Sequence, residues 1–209
     1  MKKLLYTLLA VSIIFSACEK EEEEPTNNSN NNNSGNTTNL AIGDYHQGGV
    51  IFYLSANGGG LICDIADIAS TLNQVEWGCV NDSLAGAAST SIGGGFSNTT
   101  DIINGCNEVG YAAEICYNLT KAGYSDWYLP SKDELNEMYI NKTIINATSI
   151  SNGGYALNIS DDEDEYWSST QGHQEEGFGG YGLIQRFGDG HQKTYWKSNL
   201  CCARAIRSF

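Results

Sequence analysis

The chain has 209 residues, with 25 acidic side chains against 11 basic ones and a formal net charge of −14. That surplus repels nucleic acid, and no basic patch with interleaved aromatics interrupts it. Two prolines against 24 glycines point to loops and tight turns rather than to a helical bundle.

Lys2 and Lys3 precede an apolar run over residues 4–15. The run is too short to span a bilayer and has the length of a signal-peptide core. It closes on Phe15-Ser16-Ala17-Cys18, which resembles a bacterial lipobox, although Phe15 replaces the usual leucine. The resemblance implies cleavage after residue 17 and lipidation of Cys18; the alternative is a plain secretory signal. Residues 18–39 run through Glu21, Glu22, Glu23 and Glu24 into Asn, Ser and Thr. They have nothing to bury and predict a disordered acidic, Asn-rich tether. An acidic run behind a lipidated cysteine is similar to export signals of some Gram-negative lipoproteins. The expected location is therefore the outer membrane, facing outward. Cleavage leaves 9 basic residues against 25 acidic ones, a net charge near −16.

Residues 40–209 are enough for one domain with its own core. Val50-Ile51-Phe52-Tyr53-Leu54, a turn at residues 56–60 and Leu61-Ile62-Cys63-Asp64-Ile65 predict a β-hairpin. The short segment around Trp77 is expected to pair nearby. Residues 85–98 are small and Gly-rich and predict a loop. Thr100 or Asp101 can cap a short helical turn. From Glu108, the residues Val109, Ala112, Ala113, Cys116, Tyr117 and Thr120 recur at helical spacing, with Gly123 as the C-cap. Pro130 then ends an extended segment, and Ser131 stands three residues before Glu134. That pattern is a capping box opening a second helix to about Asn141, with Leu135, Met138 and Tyr139 on one face. Tyr166-Trp167-Ser168-Ser169-Thr170 predicts a strand. Residues 181–196 predict a hairpin turning at Gly188-Asp189-Gly190. The last segment alternates, with Cys202, Arg204, Ile206 and Ser208 on one side and Ala203, Ala205, Arg207 and Phe209 on the other.

Beyond Cys18, six cysteines remain: Cys63, Cys79, Cys106, Cys116, Cys201 and Cys202. An even number in an exported chain favours disulfides, and six cysteines allow 15 pairings. His46, His173 and His191 are not spaced with them as zinc ligands.

Four blocks, "GDYHQGGVIFYL", "GYSDWYLPSKDELNEMY", "YWSST" and "ARAIRSF", together resemble the Lcl C-terminal domain family, named after a collagen-like bacterial adhesin. That family is similar to the C-type-lectin-like fold group, to which formylglycine-generating enzymes also belong. The resemblance implies an α+β fold with a twisted antiparallel sheet, two main helices, disulfide staples and chain ends close together. By the same analogy Cys116 pairs with Cys201 or Cys202, Cys79 with Cys106, and Cys63 with the remaining one of the vicinal pair. The chain departs from the family in an acidic insertion at residues 161–165 and in the vicinal Cys201-Cys202.

The implied function is a binding or adhesion module on a membrane anchor, with a glycan or extracellular polymer as ligand. The alternatives are a structural envelope lipoprotein and an oxidase resembling the formylglycine-generating enzymes. For the last, Cys201-Cys202 is a superficial parallel to a copper-binding pair. Asp161, Asp162, Asp164 and Glu165 are candidate Ca²⁺ ligands, without the spaced carboxylates and glycine of an EF-hand loop. No other metal, no cofactor and no catalytic residue is expected, since no G-x-S-x-G, H-E-x-x-H or Walker loop occurs. Sugars stack on exposed rings, and Tyr181, Tyr195 and Trp196 flank the late hairpin. Trp127 and Trp167 are expected in the core. A sulfated ligand would need a local basic patch such as Arg186, Lys193 and Lys197.

Overall fold

In the computed structural model the described residues are 39–68, 74–80, 82–159, 165–172 and 180–209, and Asn39–Phe209 forms one unit. The signal segment, the tether and four of the five acidic residues at 161–165 lie outside the described residues.

The first hairpin forms as its β-branched and aromatic residues predict, with β2 (Gly49–Leu54) against β3 (Gly60–Asp64). A short β1 (Tyr45–His46) joins β2 through Gln47-Gly48. Both turn residues have positive φ, 48° and 92°, the condition a two-residue hairpin turn of the twist-matching kind imposes. The other described strands are β4 (Glu165–Gly172), β5 (Tyr181–Arg186), β6 (Gln192–Trp196) and β7 (Ile206–Ser208). They make two antiparallel sheets, ordered β1-β2-β3-β7 and β4-β5-β6, rather than the one twisted sheet expected.

Among the described residues four helices form instead of two: α1 (Gly95–Gly105), α2 (Ala112–Tyr117), α3 (Lys132–Ile140) and α4 (Lys142–Ser151). α3 begins as predicted. Ser131 caps it, the reciprocal bond with Glu134 is present, and Leu135 and Met138 are buried. α4 follows with only Asn141 between. The Asn141 amide donates to Phe52 O at 3.1 Å and to Glu137 O at 3.0 Å, which fixes the corner.

Two helices differ from expectation. α1 starts at Gly95, inside the segment read as loop, so Thr100 and Asp101 lie within it. α2 is six residues long. Val109 is 84% exposed and Tyr117 also faces out, so the expected apolar face reduces to Ala112, Ala113 and Cys116. Gly110 at φ 79° precedes the helix, and Gly123 serves a turn at residues 121–124 instead of capping it.

Two apolar clusters flank the first sheet. Ile51 and Ile62 face one of them, with Trp77, Trp127, Trp167, Ile102 and the α2 alanines. Val50, Phe52, Leu61 and Cys63 face the other, with Leu135, Met138, Ile145, Tyr166 and Phe187. Burial on both sides explains why β2 and β3 read as continuous apolar runs without polar alternation. The last segment lies between the clusters. Cys201, Ala203 and Ala205 enter the first, and Cys202 and Ile206 enter the second, as its alternation predicts.

Candidate binding surface

The β5–β6 pair of the second sheet carries an aromatic surface feature. Strand side chains alternate between faces, and the register sets Tyr181 opposite Trp196, so both rings stand on one face. Their centroids are 4.2 Å apart with planes 35° apart. Trp196 is 52% exposed and Tyr181 is half-buried. The two rings stack on one another, tilted, as an aromatic plate two rings thick. Gly180 lets the indole lie against the backbone, since a Cβ there would stand 3.1 Å from its ring. Leu183 and Thr194 occupy the next rung of the same face, both half-buried. α3 covers the rung beyond. There Gln185 Nε2 donates to Asn136 Oδ1 at 2.9 Å, and Gln192 Nε2 donates to Lys132 O at 3.1 Å.

Tyr195, the third predicted contact residue, turns to the opposite face. Its ring packs 6.2 Å from Trp167 and lies 4.7 Å under the Lys193 ammonium. Trp127 and Trp167 are fully buried, as expected, and so is Trp77. Trp77 and Trp167 cross-brace the core: Trp77 Nε1 donates to Ser168 O at 2.8 Å, and Trp167 Nε1 donates to Val75 O at 2.8 Å.

The basic trio does not form a patch. Lys193 pairs with Glu165 at 2.6 Å, and Arg186 pairs with Asp189 in the hairpin turn. Lys197 is fully buried. Its Nζ donates to Asp82 O at 2.8 Å, Gln171 Oε1 at 3.1 Å and Cys79 O at 3.4 Å, and it stands 4.2 Å over the Trp77 ring. Burial, the largest influence, pulls its ammonium down to about 8, against Asp82 and Glu108, which favour the charge. Sequence reading missed this role, although strand alternation next to an outward Trp196 already turns Lys197 inward.

Of the Ca²⁺ candidates, Asp161, Asp162 and Asp164 lie outside the described residues, and Glu165 is occupied by Lys193. Among the described residues, Cys79, Cys106 and Glu108 bring ligand-type atoms within 4.8 Å. The two sulfurs are joined in a disulfide, and Glu108 accepts the Cys79 backbone N–H at 2.7 Å.

The Cys79–Cys106 bond is the one expected, with Cα atoms 5.7 Å apart. The other pairings are corrected: Cys63, Cys116, Cys201 and Cys202 are buried free thiols. Cys63 sits opposite Ile206 across the β3–β7 ladder. Cys202 lies four residues before Ile206, roughly 13 Å back along an extended segment, beyond the reach of a disulfide. Cys201 and Cys202 point into different clusters, and Cys116 shares its cluster with Cys201, not Cys202. Cys116 stands within electrostatic reach of Asp64, which bonds to Ala205, four residues past Cys201. Burial pushes the Cys63 and Cys202 thiols up to about 12 and those of Cys116 and Cys201 higher still. Such thiols are poor nucleophiles.

His46 heads the Gln47-Gly48 turn and packs its ring edge-on against Phe209 at 4.7 Å. Beside it Arg207 contacts Gln47 and Asp126 and lies flat on the Tyr124 ring, 3.8 Å from its centroid. That cluster ties the hairpin corner to the end of β7. When the chain is compared with known proteins, no family model matches it and no curated protein matches it.

Proposed function

We propose that the domain is a non-catalytic binding and adhesion module of a cell-envelope lipoprotein, anchored through Cys18, and that its ligand is a neutral glycan polymer. The stacked Tyr181–Trp196 plate carries the reading, because the half-exposed indole backed by the tyrosine ring suits the apolar face of a sugar ring. The four sequence blocks that resemble the Lcl C-terminal domain family, in a C-type-lectin-like fold group, support it. Charge selects against polyanions. Lys193 and Arg186 are ion-paired and Lys197 is buried, in a chain of net charge −14. The buried, raised thiols of Cys201 and Cys202 weigh against an oxidase reading.

Affinity gel electrophoresis of residues 39–209 through laminarin, hydroxyethyl cellulose and heparin tests the proposal. Retardation by a neutral polymer, and about tenfold weaker retention of Trp196→Ala, is expected from losing one stacked ring, at roughly 1.4 kcal/mol per factor of ten. Retention by heparin alone, or equal retention of Trp196→Ala, overturns it.

A further inference from the structure

The plate is not self-supporting. Trp196 and Lys197 are consecutive residues that point to opposite faces, one outward into the plate and one inward into the protein. The Lys197 N–H donates to Gly180 O at 2.9 Å, and Lys197 O accepts the Trp77 N–H at 3.0 Å. Residues 180–181 and 196–197 thus form one rung held from beneath. Two of the three oxygens that receive the Lys197 ammonium, Cys79 O and Asp82 O, belong to the loop that the Cys79–Cys106 disulfide closes. The same loop lies against the backbone beside the plate, since a Cβ on Gly180 would stand 3.3 Å from Val80 O as well as 3.1 Å from the Trp196 ring. Glu108 holds the Cys79 N–H from the far side of the disulfide.

We propose that Lys197 is the positioning residue of the Tyr181–Trp196 plate, and that the Cys79–Cys106 disulfide keeps its acceptors in place. Ligand contact on the outer face is thereby coupled to a disulfide on the inner face. Reduction by a dithiol delivers two electrons and two protons to the bond. It leaves two thiols on the protein and one cyclic disulfide on the reductant. The freed loop releases Cys79 O and Asp82 O from the ammonium, and the rung beneath Trp196 loses its brace. The proposal rests on the plate as the binding surface, but its test reads the plate without a ligand.

The chain supplies its own reporter. Of its four tryptophans, Trp77, Trp127 and Trp167 are fully buried and Trp196 is half-exposed, so acrylamide quenching reports on Trp196. Quenching, the thermal midpoint and retention in a laminarin gel are measured for residues 39–209, which contain both apolar clusters. Wild type is compared with Lys197→Met, Cys79→Ser/Cys106→Ser and, as a control on another buried-end lysine, Lys142→Met. Lys197→Met and the double serine variant are expected to shift the Trp196 quenching constant about twofold and to weaken retention about tenfold. The control matches wild type in both. Wild-type quenching and retention in Lys197→Met, with only the thermal midpoint lowered, makes Lys197 merely structural and overturns the proposal.

If Lys197→Met does not fold, wild type reduced with dithiothreitol supplies the second measurement. A quenching change with the far-ultraviolet spectrum intact supports the proposal; unchanged quenching, or collapse of the whole spectrum, overturns it. Altered quenching in a protein that no polymer retards leaves the positioning role standing and removes the glycan reading instead.

Discussion

Arg204 Nε donates to Asp67 Oδ1 at 2.7 Å, with the arginine side chain wholly buried. Tyr166 Oη donates to the other carboxylate oxygen at 3.0 Å, and Nη2 donates to Tyr155 O at 3.2 Å. The network pins the segment after α4 to the final segment. Asp67→Asn strands a buried charge and is expected to cost about 3–5 kcal/mol in urea unfolding. The double change Arg204→Met with Asp67→Leu removes both charges and is expected to cost less than Asp67→Asn alone. A smaller loss for the single change would show that the pair does not hold this joint.

Glu134 caps two helices. Oε2 accepts the Ser131 N–H at 2.7 Å in its own capping box, and Oε1 accepts the Gly93 N–H at 2.8 Å at the start of α1. Ser131→Ala should cost about 1 kcal/mol. Glu134→Ala should cost more and expose the amides of both Gly93 and Ser131 to hydrogen exchange. Protection retained at Gly93 would break the link between the helices. Gly95→Ala tests the same contact. Its Cβ would stand 2.3 Å from Glu134 Oε2 and 2.9 Å from Leu129 O. The roughly 1 kcal/mol helix-propensity gain is therefore expected to be outweighed, and the variant to melt below wild type.

Lys197 predicts a stability profile that rises with alkalinity. Its ammonium falls to about 8 in the fold, chiefly through burial, against an ordinary value of 10.5. Between these values the unfolded chain holds a proton that the folded chain has shed, so this group adds stability as pH rises through that window. Asp82 and Glu108 are the charged groups facing it among the described residues. Chemical denaturation of wild type and Lys197→Met at pH 7 and pH 10 should show the difference moving in favour of wild type. A constant difference would place the lysine's value near the ordinary one.

The four free thiols among the described residues should be silent in the folded domain. Cys63, Cys116, Cys201 and Cys202 are buried, and their raised values leave almost no thiolate at neutral pH. Iodoacetamide without reductant should label them only in denaturant, with Cys79 and Cys106 unlabelled throughout. Fast native labelling of Cys201 or Cys202 would reopen the case for a reactive pair.

Much of this fold is legible where the signal is local. The Ser131–Glu134 box, the β2–β3 and β5–β6 hairpins and the two-sided alternation of residues 201–207 follow from short-range chemistry. α1 is not legible because its N-terminal partner comes from another helix, and its first residue and N-cap are both glycines. The cysteine pairings fail for a related reason. Which thiols meet depends on register, and Cys63 is registered to Ile206, not to the vicinal pair. The plate was half legible: Tyr181 and Trp196 meet across the hairpin, while parity alone sends Tyr195 to the other side.

Residues 201–207 supply side chains to both apolar clusters, and β7 completes the first sheet against β3. Neither cluster can close on residues 39–172 alone. A chain emerging amino-end first from a ribosome therefore leaves both clusters open until this late segment arrives. Its nucleus must then join residues separated by most of the domain, which is slow. The arrangement postpones the shape of the domain until its last segment has been made.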